Sequence, residues 1–166
     1  GADTNISTAM NYMVNNGACS LVIMDYSEGS TVAPDSRQKK VASYFKAGSW
    51  NTITGTNAVK EVLSEGHGVV FAFRVPKGYS SENYVIYGNE TIGKGAHAVC
   101  IVGYDDSRYG GAFKYLNSYG SGWGENGYGW ITYTAFDKTG VNNYGGGIGY
   151  VINQGSNKDL KNNMGD

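Results

Sequence analysis

The spacing of apolar residues changes once along the chain, from a helical period to a strand-like one, near Gly68. Before that point Ile6, Ala9, Met10, Met13 and Val14 recur at the i, i+3, i+4, i+7 and i+8 positions of one helix face, which predicts a helix over 5–16. Asn5 or Thr4 offers its cap, and Gly17 its stop. A second, more weakly patterned helix is expected over 35–44. Between the two lies an irregular stretch with a short apolar run, Leu21 to Met24, and a turn-like S-E-G-S. A third helix is expected to be capped by Thr56, to turn Val59, Val62 and Leu63 inward and to stop at Gly66.

After Gly68, apolar runs of strand length alternate with clusters of Gly, Asn, Asp and Ser. The expected strands are 69–75, 96–104, 112–117, 129–134 and 148–152. Helices first and strands afterwards predict an α+β chain, and five strands at these intervals predict a small antiparallel barrel or twisted sheet. The tail N-Q-G-S-N-K-D-L-K-N-N-M-G-D is polar and aperiodic, and its last ten residues read as a frayed end or linker.

Composition narrows this picture. A chain of 166 residues is long enough for one core and short for two ordinary domains. Lys and Arg number 13 against 14 acids, so no net field draws a polyanion or an anionic bilayer, and neither nucleic acid nor membrane is expected as a partner. No apolar run reaches the length of a membrane span. With 26 glycines, 14 tyrosines and 16% charged residues, the composition leans toward a secreted or extracellular protein. The opening residues G-A-D-T-N lack a signal-peptide pattern, so a secreted form is expected to be trimmed already. Cys19 and Cys100 permit at most one disulfide. Cys100, inside an apolar run, reads as a buried free thiol. There is no C-x-x-C pair, and two histidines without a matching acid or thiol cluster leave no metal or cofactor to expect.

The chemistry concentrates in two segments. His97 enters the strand A-V-C-I-V-G-Y, and Asn117 ends the strand F-K-Y-L. A histidine entering an apolar strand is, taken alone, most often a hydrogen-bonded core or rim residue. Here the two strands, joined by the loop 105–111, are placed to bring the side chains together, so that the amide oxygen accepts an imidazole N–H and fixes its tautomer and direction. Tyr119 is positioned to cover that bond. His67, at a glycine-flanked turn, reads as a loop or cap residue, and the adjacent acids Asp105 and Asp106 as a solvated hairpin end.

These segments carry a family resemblance. H-A-V-C-I-V-G-Y (His97 to Tyr104) and N-S-Y-G-S-G-W-G-E-N-G-Y (Asn117 to Tyr128) resemble the histidine and asparagine motifs of papain-like cysteine peptidases. Upstream, N-Y-M-V-N-N-G and G-H-G-V-V-F-A-F-R-V are similar to further stretches of that family, so the resemblance covers roughly 5–152. It implies a papain-like α+β fold: a helical remnant of the left domain over 1–45, a β-barrel-like right domain with the His and Asn over 46–155, and a polar tail over 156–166. It further implies peptide-bond hydrolysis, with His97 as general base and acid and Asn117 as its orienter. Ala98 would line a substrate pocket, Tyr119 would shield, and Trp123 would wall the leaving-group side. The departures are Tyr119 in place of Trp, Gly68 in place of Pro, and Ala96 where many members carry Asp or Asn before the histidine.

The family's nucleophile motif, of the type G-x-C-G-S-C-W, does not occur. In that family the cysteine lies about 130–150 residues before the histidine, which falls ahead of residue 1. Cys19 is much nearer to His97, and its surroundings G-A-C-S-L-V lack both the following Trp and the preceding Gln, so it is the weaker candidate. A thiol is activated by an imidazolium and a helix N-terminus together, and His97 supplies only part of that. The implied partner is a Cys-bearing light chain or N-terminal fragment of the same precursor, with a peptide or protein as substrate. In its absence residues 1–45 should expose apolar area. Two alternatives stay open: a non-catalytic papain-fold binding or regulatory module, and a peptidase that uses Cys19.

Overall fold

Helix α1 (Ile6–Asn15) begins where Asn5 Oδ1 accepts the Thr8 N–H at 2.8 Å, pairing a donor that the first turn leaves open. It ends at Gly17, whose φ is 81° and whose missing Cβ would fall 2.0 Å from the Ala42 carbonyl oxygen. Both the backbone conformation and the close approach of the chain after α2 (Ser36–Ala42) therefore demand glycine there. Helix α2 opens with a reciprocal cap: Gln38 N donates to Asp35 Oδ1 at 2.7 Å, and Asp35 N to Gln38 Oε1 at 2.8 Å.

The computed structural model describes residues 5–25, 32–138 and 147–154. The chain divides into two compact units, Gly1–Asn51 with Ile152–Asp166, and Thr52–Val151. Thr4, the S-E-G-S turn and the tail from 156 onward lie outside the described residues. In the first unit the apolar face of α1 is partly covered, with Ile6 and Val14 half-buried. Met10 is buried, Ala9 is exposed and Met13 is half-buried, while Leu21 and Val22 are 69% and 94% exposed. A groove of about 730 Å³ in this unit is lined by Met13, Gly17, Ala18, Cys19, Leu21 and Met24, among others.

Strand β1 (Ala47–Thr54) leads into the second unit, followed by α3 (Thr56–Ser64). Gly55 rather than Thr56 occupies the cap position of α3. The Thr56 hydroxyl instead donates to Asp137 Oδ2 at 2.7 Å, so a tertiary bond takes the group that local pattern assigns to capping. The remaining elements are β2 (Val69–Pro76), β3 (Val85–Ile86), β4 (Ile92–Asp105), β5 (Ala112–Leu116), β6 (Tyr128–Thr132), α4 (Tyr133–Asp137) and β7 (Ile148–Gln154).

The fold is α+β, built on a seven-stranded sheet in the order β1-β7-β2-β4-β5-β6-β3. The sheet is not closed, so of the barrel and the twisted sheet that strand spacing leaves open, the described residues form the sheet. At one edge the two-residue β3 pairs parallel to β6, while β2 with β4, β4 with β5 and β5 with β6 pair antiparallel. Strand β2 alternates as a half-buried strand should, with Val69, Phe71 and Phe73 inward. They meet Ile101, Phe113, Tyr115 and Ile131 from neighbouring strands, Val59 from α3 and Phe136 from α4. Each such fully buried side chain contributes about 1.5–3 kcal/mol, which makes this sheet face the rigid floor under the chemistry of β4 and β5.

Candidate active site

Register places the two residues. His97 of β4 lies opposite Phe73 of β2, and on its other side β4 pairs with β5 through Cys100 and Leu116. Asn117 follows Leu116 directly, and its N–H bonds the Gly127 carbonyl at 2.9 Å, closing the loop between. His97 Nε2 stands 2.8 Å from Asn117 Oδ1.

The direction of that bond follows from a third group. The Ser118 backbone N–H also reaches Asn117 Oδ1, at 2.8 Å, and a backbone N–H only donates. The shared amide atom is therefore oxygen, and His97 Nε2 is the donor. A neutral His97 so bound carries its proton on Nε2 and its lone pair on Nδ1. Asn117 is only 6% exposed, which keeps water from competing for the bond.

Aromatic rings hold the imidazole on two further sides. Tyr119 stacks on it, with centroids 5.1 Å apart and planes 17° from parallel, while Phe73 meets it edge-on at 5.8 Å. Trp123, nearly buried, packs against Tyr79 at 5.3 Å and meets Tyr119 edge-on at 5.8 Å. The structure thus gathers His97, Asn117, Tyr119 and Trp123 into one cluster. Ala98 is exposed beside His97 on β4, paired with Ala72. Cys19 belongs to the other unit, where it is a half-buried free thiol in the wall of the groove.

Cys100 is free and half-buried rather than fully buried, and burial pushes its thiol pKa up. A Cβ at Gly68 would sit 2.9 Å from its sulfur, so glycine at 68 and cysteine at 100 are sterically matched. Half-buried Asp105 ends β4, and exposed Asp106 follows it in the turn. Asp105 accepts from Ser107, and Asp106 from Lys60 and Tyr133.

Sequence reasoning passes over Tyr79. It lies in the turn after β2, outside any motif, and its hydroxyl accepts from Asn117 Nδ2 at 3.1 Å. The same hydroxyl is 3.0 Å from that of Tyr115, which donates to the Tyr84 carbonyl at 3.0 Å. Burial pushes the Tyr79 pKa up to about 12, so the phenol stays neutral at ordinary pH. The single hint in the sequence is an unusual number of tyrosines.

A family model for papain family cysteine proteases matches residues 3–145. The chain belongs to the papain family of cysteine proteases. Its fold is similar to that of xylellain, a cysteine protease from Xylella fastidiosa, with a TM-score of 0.76 and 23% identity over 93% of this chain and 63% of that one. It is also similar to digestive procathepsin L2 from the larval midgut of Tenebrio molitor, with a TM-score of 0.62 and 24% identity over 87% of this chain and 45% of that one. A cysteine protease of Carica candamarcensis, CMS1MS2, matches with a TM-score of 0.58 and 21% identity over 88% of this chain and 66% of its own. No curated protein matches the chain by sequence. This papain-family chain therefore spans less than two thirds of the length of xylellain and about half that of the procathepsin.

Proposed function

We propose that the chain is the His- and Asn-bearing part of a cysteine-type peptidase, with His97 as general base and acid and Asn117 as its orienter. The observation that supports it is the bond from His97 Nε2–H to a buried Asn117 Oδ1, which leaves Nδ1 as the ring atom able to take a proton. In the reaction, Nδ1 takes the thiol proton as sulfur attacks the peptide carbonyl carbon and the S–C bond forms. The imidazolium returns that proton to the amine nitrogen as the C–N bond breaks. A water then gives a proton to Nδ1 and adds to the acyl carbon, and the S–C bond breaks with the proton passing back to sulfur. Throughout, Nε2–H stays on Asn117, and Tyr119 covers the ring.

The thiol comes from a Cys-bearing light chain or N-terminal fragment of the same precursor. The support is the share of its structural neighbours that the chain spans, together with the groove and the exposed Leu21 and Val22 of the first unit. Ala98 is exposed next to His97, where it serves as substrate wall, and Trp123 closes the leaving-group side. The polar, tyrosine-rich composition supports an extracellular setting. Hydrolysis of fluorogenic peptides by the native protein is the test. His97→Ala should abolish it, and Asn117→Ala should lower kcat by about 10- to 100-fold, since orientation is one part of general-base catalysis. Undiminished hydrolysis by His97→Ala overturns the reading. Peptide binding without hydrolysis by the native protein favours a non-catalytic module.

A further inference from the structure

Asn117 can orient His97 only while its own amide is kept from turning over. Rotated by half a turn about Cβ–Cγ, the amide would face the imidazole with N–H groups. Nε2–H would then meet a second donor, and the ring would regain a bond only by moving its proton to Nδ1. That is the atom the proposed reaction needs unprotonated.

Two contacts oppose the rotation. The Ser118 N–H holds Oδ1, and the Tyr79 hydroxyl accepts from Nδ2 at 3.1 Å. The second contact has a fixed polarity. The Tyr84 carbonyl can only accept, so the Tyr115 hydroxyl proton is committed to it at 3.0 Å. The Tyr79 proton therefore points at the Tyr115 oxygen, 3.0 Å away, which leaves a Tyr79 lone pair for Asn117 Nδ2–H. From Asn117 Nδ2 to the Tyr84 carbonyl the hydrogen bonds all run one way, and they pass through Tyr115, fully buried in β5. Tyr79 itself is clamped edge-on against Phe73 at 5.7 Å and, with tilted rings, against Trp123 at 5.3 Å.

We propose that Tyr79 is a positioning residue: its hydroxyl, anchored through Tyr115, holds the Asn117 amide so that His97 keeps its proton on Nε2 and presents a bare Nδ1. Its effect on turnover rests on the peptidase reading above, whereas its effect on the imidazole does not.

The test is nitrogen NMR of the chain labelled with ¹⁵N-histidine, in which the two histidines, His67 and His97, are told apart by His67→Gln. Neutral His97 should show the Nε2–H tautomer with a slowly exchanging proton. In Tyr79→Phe the Nδ1–H tautomer should gain population and Nε2–H exchange should quicken by roughly 3- to 10-fold, the scale of one neutral hydrogen bond. Tyr115→Phe should do the same to a smaller degree, and Tyr133→Phe, remote from the relay, should change neither. In the native enzyme Tyr79→Phe should lower kcat by a similar factor with KM unchanged, a split that a general loss of stability does not produce. If Tyr79→Phe leaves the His97 tautomer and exchange as they were while Asn117→Ala alters them, the positioning role is overturned and the His97–Asn117 pair stands. If Asn117→Ala alters neither, both fall. Should Tyr79→Phe fail to fold, Tyr115→Phe carries the test, and an unchanged His97 in that variant overturns the proposal.

Discussion

The ring of Tyr115 lies against Gly129, its partner across β5 and β6, so closely that a Cβ on Gly129 would stand 2.3 Å from the tyrosine hydroxyl oxygen. The absence of a side chain at 129 is what lets this hydroxyl reach the Tyr84 carbonyl. Gly129→Ala should displace the ring and destabilise the fold by about 1–3 kcal/mol, the usual scale of overpacking. Denaturant unfolding measures this. A variant as stable as the parent would show that the ring has room to spare.

Tyr119 stacks on His97 yet is 55% exposed, so its contribution is to the site more than to the core. Tyr119→Ala should weaken the hold on His97 by about 0.5–1.5 kcal/mol, as for an aromatic pair, and so lower kcat several-fold with little change in unfolding midpoint. Tyr119→Trp should retain the stack and most of the rate. Equal activity of the Ala and Trp variants would exclude a shielding role.

Acid should loosen the end of the sheet where three carboxylates are held below their usual range. The Trp130 indole N–H and then the Arg108 guanidinium do this for Glu125, the Lys60 ammonium and then the Tyr133 hydroxyl for Asp106, and Ser107 for Asp105. Because these pKa values are lower in the folded state, their stabilisation is present above the unfolded value of about 4 and is lost as pH falls through the folded values. Asp106→Asn combined with Glu125→Gln should flatten stability against pH in that acid range. Added salt should do part of the same, since the groups face solvent. An unchanged slope in the double variant would contradict this.

Alkali acts with the opposite sign. The Tyr79 pKa, raised by burial to about 12, means that its neutral form stabilises the fold fully below the unfolded value of about 10. That stability is lost as pH rises through the folded value. Unfolding free energy measured from neutral pH upward should fall across that interval, and fall less in Tyr79→Phe. Parallel curves for the two proteins would show that Tyr79 is not the group responsible.

Much of the fold could be read in advance because it is local. The cap at Asn5 and the apolar runs of β2, β4, β5, β6 and β7 each announce themselves within a few residues. Strand β1 has no strict inward alternation and β3 is two residues long, so neither carries a period to detect. Sheet closure depends on which edges meet, and no residue pattern specifies that. At the site, His97 and Asn117 sit in continuous motifs and reach each other through the pairing of β4 with β5. Tyr79 and Tyr115 were illegible for the opposite reason. One is an unremarkable turn residue and the other looks like core filler, and their link to Asn117 exists only once the sheet is assembled.

The proposed division of the machinery, with His97 and Asn117 here and the thiol elsewhere, can be checked by alkylation mapping. The native protein would be treated with a peptidyl epoxide that reacts only with an activated thiol, then digested and mapped by mass spectrometry. The modified cysteine should lie on polypeptide outside these 166 residues, and His97→Ala should prevent its modification. Alkylation of Cys19 that disappears in His97→Ala would contradict the division and place the nucleophile within this chain.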